Sequence, residues 1–192
     1  RSKPLGIVAN PEWFSQLESV QAEMYKWIYI NTPALIGKTI VTLSMEGNIP
    51  EFAGYDAQDA NTRGGLGAYF GDKLEGLADV GMIPYGIQPM YSELTRGDTL
   101  TEVDYNQLIE KDIIKRVYNA EGKPLTINVH IWDHTDPHNP KKNPLVEVEV
   151  YKINRGGTED FLLKVPEVLD LLYADDRAHR FAQEVVFGKA AY

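Results

Sequence analysis

The stretches KTIVTLSMEG (38–47) and GGLGAYFGDKLEGLADVGMIPYGI (64–87) decide the fold. Lys38-Thr39-Ile40-Val41-Thr42-Leu43 is β-branched and apolar and lies between Gly37 and Gly47, which reads as a buried strand. Gly64-Gly65-Leu66-Gly67 then leads into a helix from Ala68 to Val80, with Leu66, Phe70, Leu74 and Leu77 at helical spacing and Gly81 closing it. Ile83-Pro84-Tyr85-Gly86-Ile87 follows as a short second strand. Strand, glycine turn, helix and strand make residues 38–92 an α/β unit.

Upstream, residues 1–37 form an N-terminal helical segment. Asn10 caps it, Pro11 takes the first helical position, and Trp13, Leu17, Val20, Met24 and Trp27 make one apolar stripe. It should end near Asn31-Thr32-Pro33. Residues 46–63, rich in Gly, Pro, Asn and Asp, read as an irregular exposed loop. Downstream, residues 110–166 are β-rich. Ile113 to Val117 and Leu125 to Ile131 flank the turn Asn119-Ala120-Glu121-Gly122 and read as a β-hairpin. A polar loop from Asp133 to Asn143 leads to Leu145–Tyr151, whose alternation marks a half-exposed strand. Gly156-Gly157 turns the chain into a strand from Phe161 to Val165. Residues 175–192 read as a terminal helix with Phe181, Val185 and Gly188 on one side.

The composition bounds the function. The 192 residues are 43% hydrophobic and 24% charged, ordinary for a chain that buries a core. A formal net charge of −9 argues against nucleic acid or an anionic membrane as partner, since both need a concentrated basic face. The absence of cysteine excludes disulfides, thiolate metal sites and a cysteine nucleophile. No apolar run is long enough to span a bilayer and no signal-peptide pattern opens the chain, so a soluble, cytoplasmic protein is expected. Arg1-Ser2 stands where an initiator methionine would, which suggests a processed or trimmed chain.

Three features bear on chemistry. At Gly64-Gly65-Leu66-Gly67, backbone N–H groups can approach a ligand with no side chain between, at the positive end of the following helix. That suits a phosphate or sugar phosphate, and a tight turn needing positive φ explains the glycines equally well. Glu46 lies just past the first strand, where open α/β sheets place ligands, although its local pattern favours a solvated loop acid. His130, His134 and His138, with Asp133 and Asp136, have a superficial metal-site composition. Pro137 breaks any shared helical face, so the segment reads as an exposed polar hairpin loop in preference to a metal site, and no metal site is assigned.

Taken together, three segments resemble the α-glucan (glycogen, starch or maltodextrin) phosphorylase family. Leu43-Ser44-Met45-Glu46 is similar to that family's strand-end Ser-x-Glu motif. Gly64-Gly65-Leu66-Gly67, the helix carrying Asp72, Leu74, Leu77 and Ala78, and Gly81 to Ile87 followed by Tyr91 are similar to its Gly-Gly-Leu-Gly loop, helix and Tyr-Gly-Ile-like strand. Leu172-Tyr173, then Arg180-Phe181-Ala182-Gln183-Glu184, is similar to its Leu-Tyr…Arg-Leu-x-Gln-Glu helix. Order and spacing agree over roughly residues 40 to 192.

The resemblance implies a Rossmann-like N-terminal domain of the glycosyltransferase-B type with an inserted β-hairpin-rich region, incomplete at its C-terminus. It implies phosphorolysis: inorganic phosphate cleaves the terminal α-1,4-linked glucose of a glucan, releasing glucose 1-phosphate with retained configuration. The implied cofactor is pyridoxal phosphate, whose lysine lies in a second domain that this chain does not contain. The implied partners are α-glucan, inorganic phosphate or glucose 1-phosphate, and that missing C-terminal domain; a homodimer is compatible with the open interdomain face. The amides at Gly64, Gly65, Leu66 and Gly67 would face substrate phosphate and cofactor, and Glu46 would shape the same cleft. Arg180, Gln183 and Glu184 match structural or regulatory residues. No complete catalytic set lies within the chain, so the fragment alone is expected to be inactive. Gly47-Asn48, where animal-type members carry an aromatic residue, and the surroundings of Asn61-Thr62-Arg63 point to the divergent prokaryotic branch. Two competing readings are a carbohydrate-binding or regulatory module without chemistry and a nucleotide-sugar glucan synthase; the latter places a Lys near its Gly-Gly-Leu, where this chain has Arg63.

Overall fold

The computed structural model describes residues 27, 30–47, 56–62, 64–131, 144–155 and 158–192. Most of the expected first helix lies outside these residues, as do the polar loop 133–143 and the turn at Gly156-Gly157; Trp27, Ile30 and Asn31 are helical. In chain order the elements are β1 (Thr39–Leu43), α1 (Asp56–Asn61), α2 (Gly65–Asp79), β2 (Ile83–Pro89), β3 (Glu93–Arg96) and β4 (Thr99–Glu102). Then follow α3 (Asn106–Glu110), β5 (Ile114–Arg116), β6 (Thr126–His130), β7 (Leu145–Arg155), β8 (Thr158–Lys164) and α4 (Arg177–Ala191).

The chain is a mixed α/β protein built on one mixed sheet, in the order β1-β2-β8-β7-β5, with β6 also on β7. β1, β2 and β8 run parallel, with Val41 opposite Tyr85 and Ile87 opposite Phe161. β7 is antiparallel to β8 along seven residue pairs. Strands from the β-rich second half thus continue the sheet begun by the α/β unit. Gly86 and Ile87 define its two faces, because neighbouring strand residues point opposite ways. A Cβ at Gly86 would lie 2.7 Å from the Leu74 side chain and 2.9 Å from that of Phe70, so α2 sits on that face. Ile87 packs with Val186, Phe187 and Ala190 of α4 on the other. The result is a sheet between two helical layers.

The α2 stripe forms as expected. Phe70 and Leu74 are buried, and the helix ends where Gly81 takes a left-handed φ of 81°. The Gly81 carbonyl accepts from Gly37 N at 3.3 Å, which places the end of α2 at the amino ends of the parallel strands. The start of α2, 15 residues back and about 22 Å away, therefore lies at their carboxyl ends. Around those ends Met90, Tyr91, Leu94, Val103, Tyr105, Leu108, Ile114 and Leu172 form a second core. Leu94 and Val103 reach it from the β3–β4 hairpin and the residue after it, the hairpin turning over two residues with Gly97 at a φ of 60°.

Four expectations need correction. β1 is an edge strand, not a buried one, with Val41 52% exposed. Residues 46–63 are not an exposed loop throughout, because 56–61 form α1 with Ala57, Ala60 and Asn61 buried. β5 and β6 do not pair as a hairpin: Ile114–Arg116 and Thr126–His130 lie end to end along β7, whose 11 residues are long enough to satisfy both. Between them the chain makes only a local excursion, closed by the Tyr118–Pro124 bridge. On α4 the buried residues are Ala182, Gln183, Val186, Phe187 and Ala190, while Phe181 faces outward, half exposed.

A methyl at Gly86 would also come within 2.7 Å of Asp160 Oδ1. Overpacking at so crowded a point costs about 1–3 kcal/mol, so Gly86→Ala should lower the denaturant midpoint accordingly at an unchanged slope. A midpoint equal to that of the parent would show that α2 does not press on the sheet there.

Candidate functional site

The carboxyl ends of β1, β2 and β8 converge on Glu46. Ser44 N donates to Ile87 O at 3.0 Å, which prolongs the β1–β2 ladder by one residue. The backbone then turns, Glu46 N donating to Ser44 Oγ at 3.3 Å. Gly47 fits because it abuts Gln88: a Cβ there would fall 1.5 Å from Gln88 Oε1. Gln88 is itself pinned, fully buried, by a 2.8 Å bond from its Nε2 to Asp160 Oδ2. The turn carries Glu46 inward to 4% exposure, so it is not the solvated loop acid that its local pattern favours. Its Oε1 accepts a hydrogen bond from Tyr173 Oη.

Asn61 fastens this turn to the next two segments. Its backbone carbonyl accepts from Gly47 N at 2.9 Å. Its side-chain Nδ2 donates to Pro89 O, and its Oδ1 accepts from Tyr91 N and Tyr105 Oη, each at 3.4 Å. Tyr105 Oη also approaches Tyr91 O at 2.5 Å, and Tyr91 Oη donates to Met45 O at 2.9 Å. Burial, followed by the nearby Tyr173 and Glu46, holds the Tyr91 phenol far above its ordinary pKa, and burial does the same for Tyr105. Both remain protonated donors, and the backbone on either side of Glu46 is held by Tyr91 at Met45 and by Asn61 at Gly47.

The glycine loop lies three residues beyond Asn61. Gly64 precedes α2 with φ 161° and ψ −150°, an extended backbone, and Gly65 opens the helix. The glycines with left-handed φ are elsewhere, at Gly37, Gly81, Gly97 and Gly122. A Cβ on Gly64 or Gly65 would meet nothing within 4 Å. Among the described residues no neighbour crowds either glycine and neither has a left-handed φ, as is also true of Gly76 and Gly188. Leu66 is half exposed, whereas Gly67 is buried. Gly64, Gly65 and Leu66, at the start of the 15-residue α2, are exposed and lie at the same sheet end as Glu46.

Tyr173, Asn61 and Tyr105 were not legible as site residues in the sequence. Of the residues matched to structural or regulatory positions, Arg180 lies 3.7 Å from Glu184 on α4, and Gln183 donates to Asp170 in the segment before it at 3.0 Å. Among the described residues no group of three or more His, Asp or Glu is arranged to hold a metal ion. His130 is exposed on β6, and His134 and His138 lie outside the described residues. Among the described residues no helix is long and apolar enough to cross a membrane. No protein-family model matches the chain, and no curated protein matches it.

Asn61→Ala would strand several buried partners at once, each worth about 1–3 kcal/mol when left unpaired. Hydrogen exchange at Gly47 and Tyr91 should accelerate well beyond the exchange change in β7. Equal acceleration throughout the sheet would mean that Asn61 supports global stability and not this turn.

Proposed function

We propose that the chain is the N-terminal, Rossmann-like part of an α-1,4-glucan phosphorylase of the glycosyltransferase-B type. It would act in the cytoplasm together with a second, cofactor-bearing domain. The reading rests on the three motif segments and, above all, on Gly64 and Gly65. Their side-chain-free surface heads a helix, and among the described residues nothing lies within 4 Å of a Cβ placed on either. A phosphate needs such a surface, because its oxygens must come within hydrogen-bond distance of backbone amides.

In this reading the amides at Gly64, Gly65, Leu66 and Gly67 hold the phosphate group, with the helix N-terminus favouring its negative charge. Glu46, a buried carboxylate at the end of β1, accepts hydrogen bonds from hydroxyls of the glucosyl unit. The Tyr91 bond to Met45 fixes the turn that carries it. When bound, pyridoxal phosphate would supply acid/base chemistry to the substrate phosphate through its own phosphate group, its lysine lying in the proposed second domain. The chain's own contribution is to bind, to orient and to keep water from the buried end of the cleft.

Gly65→Ala separates this function from folding. Alanine in a helix in place of glycine stabilises by up to about 1 kcal/mol, and the new methyl meets no neighbour. Calorimetric titration with glucose 1-phosphate should nevertheless show binding weakened at least tenfold. Undiminished affinity in Gly65→Ala would contradict the phosphate role of the loop.

A further inference from the structure

The sheet is covered unevenly on the face that carries α4. Register sets Thr42 opposite Gly86, and Val41 and Leu43 opposite Tyr85 and Ile87. Ile40 and Thr42 therefore turn toward α2, where they are half-buried, and Val41 and Leu43 turn the other way. There α4 reaches Ile87, but Val41 and Leu43 beyond it are 52% and 47% exposed. Tyr85 and Phe161 stack on the same face with ring centroids 6.2 Å apart, each half-buried. The Lys152–Glu159 ion pair bounds this apolar strip on the side away from β1. Two strands about 4.8 Å apart leave a bare width that one helix, about 10 Å across, covers.

The chain just before β1 carries the complementary surface. Trp13, Leu17, Val20, Met24 and Trp27 recur at helical spacing. Residues 1–26 lie outside the described residues, while Trp27 and Ile30 at the end of this run are 62% and 66% exposed. The connection to β1 is compact. Leu35 N donates to Thr32 O and Lys38 N to Leu35 O, each at 3.0 Å, and Gly37 N donates to Gly81 O at the amino end of the strand. The helical residues Ile30 and Asn31 are thereby tethered close to Thr39. A helix running back antiparallel to β1 from Trp27 to Pro11 would extend about 25 Å. That exceeds the length of about 17 Å for the five residues of β1. So short a tether also gives the segment an effective concentration of about millimolar, which a separate partner has to match.

We propose that residues 11–27 seat their apolar stripe on this strip, covering Val41, Leu43 and Tyr85 and completing the helical layer that α4 begins. The proposal stands apart from the phosphorylase reading. Length, point of attachment and apolar spacing all fit the chain's own segment. A second copy carries the same stripe but lacks the tether.

Trypsin reports the contact on the whole chain, because Lys26 is the one basic residue between Lys3 and Lys38. Val41→Asp puts a charge under the stripe. Cleavage after Lys26 should then run several-fold faster than in the parent, while cleavage after Lys73, within α2, keeps the parent rate. An unchanged rate after Lys26 would overturn the proposal. Equal acceleration at both sites would overturn it too, making Val41 a support of the whole sheet. The chain has no cysteine, so an engineered pair identifies the occupant. Val41→Cys with Met24→Cys should oxidise within one molecule. Val41→Cys with Ala22→Cys, on the opposite side of the helix, should not. Equal yields from the two pairs would contradict a seated stripe, and disulfides formed mainly between molecules would give the strip to a second copy in place of this segment.

Discussion

The amide of Asn61 is the smallest feature on which the largest part of the molecule depends. From the last turn of a six-residue helix it reaches Pro89 at the end of β2, Tyr91 just beyond it and Tyr105 before α3, while its carbonyl holds Gly47 after β1. These segments come from far apart in the chain, and only tertiary contact brings them together. Buried polar groups of this kind are worth little when exchanged for a good alternative and cost much when left unpaired. The carboxyl end of the sheet is thereby held in one arrangement, with Glu46 buried beneath it. Gln88 and Asp160 repeat the principle one layer deeper: a polar pair inside the sheet that admits only glycine at 47 and 86.

The α/β unit was legible because its signals are local. Apolar spacing, an opening glycine cluster and a closing Gly81 locate α2 and β2 within three residues at every end. What failed was everything decided at long range. The sequence of β1 has no charge or proline to mark an edge, so it reads as a central strand. Asp56–Asn61 has no apolar periodicity; Asn61, the buried alanines and an Asp56–Arg96 ion pair hold it. The turn at 119–122 suggested a hairpin, and nothing local says that both flanking strands prefer β7.

The candidate site divides in the same way. Glycines and a strand-end acid are visible as residue types in their places, but the burial of Glu46 and its partner Tyr173 are not. The structure also refined what the glycines mean. Gly81 and Gly37 serve backbone geometry and Gly47 and Gly86 serve packing, while among the described residues Gly64 and Gly65, like Gly76 and Gly188, show neither need. Sorting glycines by the physical need that each meets is thus a more informative step than counting them in a motif.

The phosphorylase assignment is tested most directly by phosphate-dependent release of glucose 1-phosphate from maltodextrin. A longer protein that contains this chain, as the proposal requires, supplied with pyridoxal phosphate, and the 192-residue chain should be assayed side by side. Release by the former and none by the latter is the expected result. No release by the longer protein, whatever the phosphate concentration, would contradict the assignment.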